Sequence, residues 1–452
     1  MLRTPEPRGR TEPFRSVAHG ADLRRSARID IVRGPKPSSL VRRRPRWKTI
    51  AAAFGPGLIV AFADTEAGSV TTAAASGAQY GMKLVLLQLL LIVPLFVIQE
   101  MTVRLGTATG KGHAQLIREH YGLGWTWLSL GTMLVTNVAA LVTEFIGISG
   151  AAMIFGVDPT LLVLAAAATL IAVSLVGAYR RAEIVALGLC LLELLFIPAA
   201  IAAHPAPAEI IRQGIFGSQP LGNRDYLLLI ASNIGAVIMP WMIFYQQSAT
   251  VDKGLKLPQL NFARIDTAIG AVATQIIMIA IVVTTAATLF VHHISIDNAA
   301  QAALALVPLA GRFAGIAFGA GLIGAAMLGA FVVTLATSWA FGEAFNWPCS
   351  LNHRYHEAKR FYGLYAGCVL LAAGIVLIPH LPLVKTTLYV EAFNAFVLPI
   401  VLGFLVIMAN DKRILGGRVN SLPGNLIVGA ISLVVVSLGV WDAFLTLTGQ
   451  AG

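Results

Sequence analysis

Apolar residues run along this chain in long blocks. They show neither the period-two alternation of a half-buried strand nor the half-polar stripe of a soluble surface helix. Eleven blocks stand out, at residues 50–78, 82–104, 125–154, 160–178, 183–203, 226–250, 266–291, 311–344, 361–380, 385–409 and 424–448. A helix needs roughly 20 apolar residues to cross a bilayer. The pattern therefore predicts an all-α polytopic membrane protein of about eleven transmembrane helices. Polar residues inside these blocks are few, and each needs a reason to be there.

The connections between blocks set the orientation. Basic residues gather after the second, fourth, sixth, eighth and tenth blocks, for example Arg104 and Lys111, Arg180 and Arg181, Lys253 and Lys256, Arg354 and Lys359, and Lys412 and Arg413. Cytoplasmic loops carry such an excess, so the N-terminus is expected in the cytoplasm and the C-terminus outside. Composition agrees with the class: 57% of residues are hydrophobic and 12% charged, against about 25% charged in soluble domains. The net charge of +11 comes almost wholly from residues 1–48, where 14 Lys and Arg face Glu6, Glu12, Asp22 and Asp30. That stretch, rich in Pro, Gly and Ser, reads as a disordered basic cytoplasmic tail near anionic lipid. It has little aromatic interleaving, so no nucleic-acid partner is expected. It also lacks the apolar run and small-residue cleavage site of a signal peptide. Residues 49–450 form the membrane domain. The cysteines Cys190, Cys349 and Cys368 have no paired spacing, so neither a disulfide framework nor a zinc site is expected.

Two blocks are interrupted. The first is nearly 30 residues long and contains Asp64 and then Glu66-Ala67-Gly68-Ser69. A carboxylate at the bilayer centre costs roughly 2.5–3.5 kcal/mol even on mild insertion scales. Gly and Ser weaken the helix beside it, and unwound backbone is tolerated in a membrane only where it lines a cavity. The sixth block contains Ala236 to Pro240, and Pro240 removes a backbone donor. Interruptions at corresponding places, five spans apart, point to a transporter site between inverted repeats. Spans 1–5 and 6–10 are the expected repeats, with span 11 an addition.

The run "GPGLIVAFADTEAGSVTTAAASGAQYG" (55–81) resembles the first helix of the Nramp divalent-metal transporters, and "IGAVIMPWMIFYQQS" (234–248) resembles their sixth. The runs "RLGTATGKG" (104–112), "TEFIGISGA" (143–151) and "FGEAFNW" (341–347) are similar to theirs as well. The resemblance covers about residues 48–448 and implies a LeuT-like 5+5 inverted repeat with helices 1 and 6 broken. The family's Asp-Pro-Gly-Asn aligns with Glu66, Ala67, Gly68 and Ser69. Its Ala-x-x-Met-Pro-His aligns with Ala236, Met239, Pro240 and Trp241, so a family His is Trp here. A second family His aligns with Gln246. The third-helix Glu is kept as Glu144, while the acid one turn earlier is Leu141. The tenth-helix Gln aligns with Glu391.

The resemblance implies that Glu66, Gly68, Ser69, Ala236, Met239, Trp241 and Glu391 bind substrate. Among these, Glu66, Ser69, Ala236, Met239 and Glu391 would touch a metal, and Glu144 would lie on a proton route. The chemistry is compatible. Glu66, Glu391 and freed carbonyls are hard oxygen ligands, and the Met239 thioether favours transition metals over Mg and Ca. Asp64 is expected to line the entrance or pair with a neighbour, and Glu144 and Glu193 are also readable as interhelical polar contacts. The histidines of "VHHISID" (291–297) and "NHRYHE" (352–357) lie in loops and read as solvated.

The expected function is secondary transport of a divalent metal cation, Mn/Fe-like or Mg, by alternating access, with weak or no proton coupling. The cation is substrate, and no cofactor is implied. Alternatives are a carrier of a small organic solute facing Trp241 and, further off, a non-transporting membrane sensor. The expected setting is multi-pass in a bacterial inner membrane. No catalytic motif points to an enzyme.

Overall fold

The computed structural model describes residues 55–175, 178–294, 296, 299–378 and 383–447, and every regular element among them is helical. The basic stretch 1–48 lies outside the described residues. The principal helices are α1 (Pro56–Ala63), α2 (Ala67–Tyr80), α3 (Val85–Thr109), α4 (His113–Phe155), α5 (Pro159–Ser174), α6 (Tyr179–Glu193) and α7 (Phe196–Ala202). They continue with α8 (Arg224–Val237), α9 (Pro240–Asp252), α10 (Leu260–Thr285), α11 (Ala299–Phe345), α12 (Lys359–Val376), α13 (Leu383–Asn410) and α14 (Leu422–Leu447).

Eight helical runs among the described residues are long and apolar enough to cross a membrane. The eleven expected spans reduce to eight for simple reasons. The first and second join into one run, 67–109, through a single 3-10 turn at Gly81–Leu84. The fourth, α5, and the described part of the eleventh, 422–438, are apolar but shorter than a full crossing. Large apolar side chains such as Leu90, Val135, Leu161, Leu191 and Leu433 point outward, as a bundle facing lipid requires.

The repeat shows in two matched features. Spans one and six are each broken, α1 from α2 and α8 from α9. Spans three and eight each begin after a bend at one glycine, Gly122 (φ 82°, ψ −176°) in α4 and Gly311 (φ 86°, ψ 163°) in α11. Positive φ is easy for glycine and strained for other residues. The expected starts at 125 and 311 therefore mark the membrane segments, while the helical backbone begins earlier.

Packing brings the broken helices to the centre. Helix α10 lies against α1, α2 and α3, α11 against α4, and α8 against α13. Small residues permit close approach: a Cβ on Gly270 would come 2.7 Å from the Ala61 methyl and 2.9 Å from the Gly57 carbonyl oxygen. Asp266 of α10 accepts the Gly55 and Gly57 N–H groups at 3.1 and 2.8 Å. It thus satisfies amides that the start of α1 leaves without intrahelical partners.

Candidate functional site

The first interruption falls at Asp64–Glu66, two residues before the expected Glu66–Ser69. Helix α1 closes with Asp64 N–H donating to Val60 O (3.0 Å) and Thr65 N–H donating to Phe62 O (2.8 Å). Glu66 is extended (φ −66°, ψ 173°), and α2 starts at Ala67. One extended residue suffices to start a helix, so Gly68 and Ser69 sit in its first turn. Gly68 serves space, not unwinding: a Cβ there would overlap the Glu391 carboxylate and come 3.0 Å from Glu66 Oε1.

The second interruption is Ile238-Met239, both extended, within the expected 236–240. Pro240 opens α9 at its first position, where its preset φ suits a helix and its missing N–H is no loss. That missing N–H has a consequence one turn back. The Ala236 carbonyl would take its helical bond from residue 240, and Pro240 has none to give. The Ser69 hydroxyl donates to the Ala236 oxygen instead, at 2.8 Å. The two breaks are thereby tied to each other.

Around this tie the structure gathers carboxylates. A Cβ on Gly68 would meet both Glu391 Oε1 and Glu66 Oε1, and one on Gly329 would meet both Glu144 Oε1 and Glu66 Cβ, so Glu66 stands between the other two acids. All three residues are fully buried. Glu144 Oε2 accepts the Ala67 N–H at 3.1 Å, and Glu391 Oε2 accepts Asn394 Nδ2 at 3.3 Å. Both Glu66 oxygens, Glu144 Oε1 and Glu391 Oε1 have no protein donor. Opposite them, Gly329 of α11 leaves room, since a Cβ there would come 2.9 Å from Glu66 Cβ and would crowd Glu144. Buried acceptors in such number without donors are rare in proteins, and a cation is the natural partner for them.

Not every expected ligand is presented. The Met239 sulfur accepts the Trp241 indole N–H at 2.8 Å, and Ser69 and Ala236 are engaged with each other. Among the described residues, no three His, Cys, Asp or Glu side chains converge as a ready metal shell. The site is acidic and carbonyl-bearing, without a preformed coordination sphere.

Asp64 pairs with a neighbour, taking Gln99 Nε2 on Oδ2 at 3.1 Å. Gln246, in the place of a family His, accepts the Thr102 hydroxyl (2.8 Å) and donates to Thr267 (3.2 Å). The Gln99 Nε2, the Gln246 amide and the Thr102 and Thr267 hydroxyls are thus engaged in local bonds, while Gln99 Oε1 has no partner. Sequence reasoning missed Asn394, whose spacing of three from Glu391 on a helix was the available signal. It also missed Gly329, which carries no chemistry of its own. Of the loop histidines, His292 bonds its own helix at Thr288 O (2.7 Å).

The sequence of residues 57–444 matches the family model described as natural resistance-associated macrophage protein-like (Nramp). The divalent metal cation transporter MntH of Erwinia tasmaniensis is 31% identical over 307 residues, 65% of this chain and 72% of that protein. MntH of Klebsiella pneumoniae subsp. pneumoniae is 27% identical over 408 residues, 88% of this chain and 95% of that protein. Among solved structures, the Eremococcus coleocola manganese transporter aligns with TM-score 0.67 at 17% identity, covering 89% of this chain and 88% of that one. MhsT in complex with L-phenylalanine aligns with TM-score 0.59 at 16% identity, covering 87% of this chain and 98% of that one.

Proposed function

The chain belongs to the Nramp family, whose members are transporters and not enzymes, and on that premise we propose that it carries a divalent metal cation across a bacterial inner membrane by alternating access. The observation that carries this reading is the gathering of the buried Glu66, Glu391 and Glu144 around Gly68 and Gly329, beside two broken helices. A dication entering here would meet three carboxylates, each with at least one oxygen that has no donor.

In this reading Glu66 and Glu391 are the primary ligands. Gly68 keeps the space between them, and Ser69 with Ala236 holds the two breaks in register. Met239 becomes a ligand by exchanging its bond from the Trp241 N–H for the metal. That exchange favours softer cations such as Mn or Fe over Mg. The organic-solute reading rested on Trp241, but its N–H is committed to Met239 and its ring meets Tyr245 edge-on. The basic loops favour a cytoplasmic N-terminus.

The test is uptake into proteoliposomes of the purified protein, with Mn, Mg and small organic solutes compared side by side. Saturable Mn uptake that disappears in Glu66→Gln is the expected result. Uptake of an organic solute with no movement of any divalent cation would overturn the reading.

A further inference from the structure

We infer a bound anionic phospholipid of the cytoplasmic leaflet, with its phosphate on Arg360 and an acyl chain along the outward face of α12. Arg360 stands beside Trp347, its guanidinium carbon 5.5 Å from the centre of the indole ring. Trp347 stacks on Phe345 at 5.7 Å, and Trp127 of α4 meets Phe345 at 5.2 Å. Trp127 is about half exposed, as is Trp125 two residues before it. Such rings gather at the level of lipid headgroups. The Arg360 guanidinium makes no ion pair or hydrogen bond among the described residues, and neither does the ammonium of its exposed neighbour Lys359.

Inward from Arg360, the outer surface of α12 is a shallow furrow. Gly363, Gly367 and Gly374 follow Arg360 at steps of three, four and seven residues, so all four lie on one helix face. The three glycines are exposed, and a Cβ on any of them would meet nothing within 4 Å. Leu370 and Leu371 are exposed on the same face. Glycine weakens a helix relative to alanine, and no described neighbour uses the room these glycines leave. A lipid whose phosphate sits on Arg360 has its chain directed into this room.

Charge selects the occupant. Residues 346–360 carry Arg354, Lys359 and Arg360 against Glu357 alone, a net of +2. The Glu357 carboxylate is engaged locally, accepting the Arg354 N–H at 2.7 Å. A guanidinium fork matches the oxygens of a phosphate. The competing occupant is a second copy of this chain, since small residues let membrane helices approach closely. Two copies in one membrane run parallel, however, and this face packed on itself would set Arg360 and Lys359 against their own counterparts. A lipid phosphate cancels that charge instead. Only the choice of leaflet rests on the orientation proposed above from the basic loops; the binding itself does not.

The experiment is native mass spectrometry of the full-length purified protein, delipidated in detergent. It is titrated with phosphatidylglycerol or with phosphatidylcholine of the same chains, and excess inorganic phosphate is the headgroup-only arm. We expect one phosphatidylglycerol to bind saturably, about tenfold tighter than phosphatidylcholine, and phosphate not to displace it. Arg360→Gln should weaken that binding about tenfold, as loss of a hydrogen bond to a charged group does. Gly367→Leu fills the furrow without meeting protein atoms and should weaken it about threefold or more. Lys412→Gln removes another exposed cation without an ion pair, on the connection after α13, and should change nothing. Equal affinity for the two lipids, wild-type affinity in Arg360→Gln or Gly367→Leu, an equal loss in Lys412→Gln, or displacement by phosphate would each overturn the assignment. So would a dimer that Gly367→Leu dissociates into lipid-free monomers.

Discussion

The Ser69 hydroxyl donates to the Ala236 carbonyl oxygen at 2.8 Å and so joins the second half of span one to the first half of span six. This bond exists because Pro240 leaves Ala236 without its helical donor. Removing it should loosen the two breaks relative to each other without unfolding the bundle. One buried hydrogen bond contributes about 1 kcal/mol, so Ser69→Ala should weaken Mn binding by roughly fivefold and leave the unfolding temperature nearly unchanged. Calorimetric titration of the variant checks this. Wild-type affinity would mean that the tie does not hold the site.

Gly68 and Glu391 give a steric prediction. A methyl at Gly68 would overlap the Glu391 carboxylate, which is the far end of a flexible side chain and can swing away. Gly68→Ala should therefore fold normally but displace Glu391, with Mn affinity lowered about tenfold, the size of effect expected when a ligand or its support is moved. Gly329→Ala differs, because its methyl would also press on Glu66 Cβ at 2.9 Å, close to the backbone of the break. That variant should lose stability by about 1–3 kcal/mol, as overpacked cores do. Denaturant melts of the two variants side by side separate the outcomes.

Much of this arrangement was legible in the sequence, and what was not has physical causes. Apolar block length marks where the membrane helices lie, though eight rather than eleven runs are long enough to cross, and Pro240 marks the sixth-helix break because a missing N–H is a local property. The first-helix break was read two residues late. Gly68 and Ser69 look like helix breakers, yet Gly68 is required by a side chain from span ten, more than three hundred residues away. The Glu144 contact with Ala67 N–H and the Asp64 pairing with Gln99 are likewise interhelical. Local pattern cannot supply such contacts. The bends at Gly122 and Gly311 are invisible to hydropathy because both flanks are helical.

Cys349 provides a probe of the other end of the bundle. It lines a cavity of about 370 Å3 with Ser248, Asp252, Trp339 and Glu343, where the Ser248 hydroxyl donates to Glu343 at 2.5 Å. Burial, together with the Glu343 and Asp252 charges, pushes the Cys349 thiol up to about 12. The thiolate is the reactive form, so below that value its fraction rises about tenfold per pH unit. Maleimide labelling should therefore be slow at neutral pH and keep rising through about pH 9, where an ordinary thiol levels off near its own pKa. Glu343→Gln removes one of the two charges and should speed labelling. A rate that plateaus near pH 8 in the wild type would show that Cys349 is solvated.

The remaining prediction concerns the driving force. The Nramp resemblance implies titratable groups at the positions of Leu141 and Trp241. Here Leu141 is buried and apolar, and Trp241 donates its N–H to Met239. Neither accepts a proton. Gln99, Thr102, Gln246 and Thr267 carry amides and hydroxyls, which do not ionise in this range, so they offer no carrier of charge from the site. Glu144 is able to exchange a proton with Glu66 locally, but local exchange does not couple fluxes. The membrane potential suffices without it. A dication crossing at about −100 mV gains roughly 4.6 kcal/mol, twice the roughly 2.3 per elementary charge. We therefore expect Mn uptake into proteoliposomes at a clamped potential to proceed with little acidification reported by an internal pH dye. Raising the inside-negative potential should accelerate uptake, while a pH gradient alone should not drive it. Acidification stoichiometric with Mn uptake and lost in Glu144→Gln would reveal a proton path through Glu144 and defeat the argument from Leu141 and Trp241.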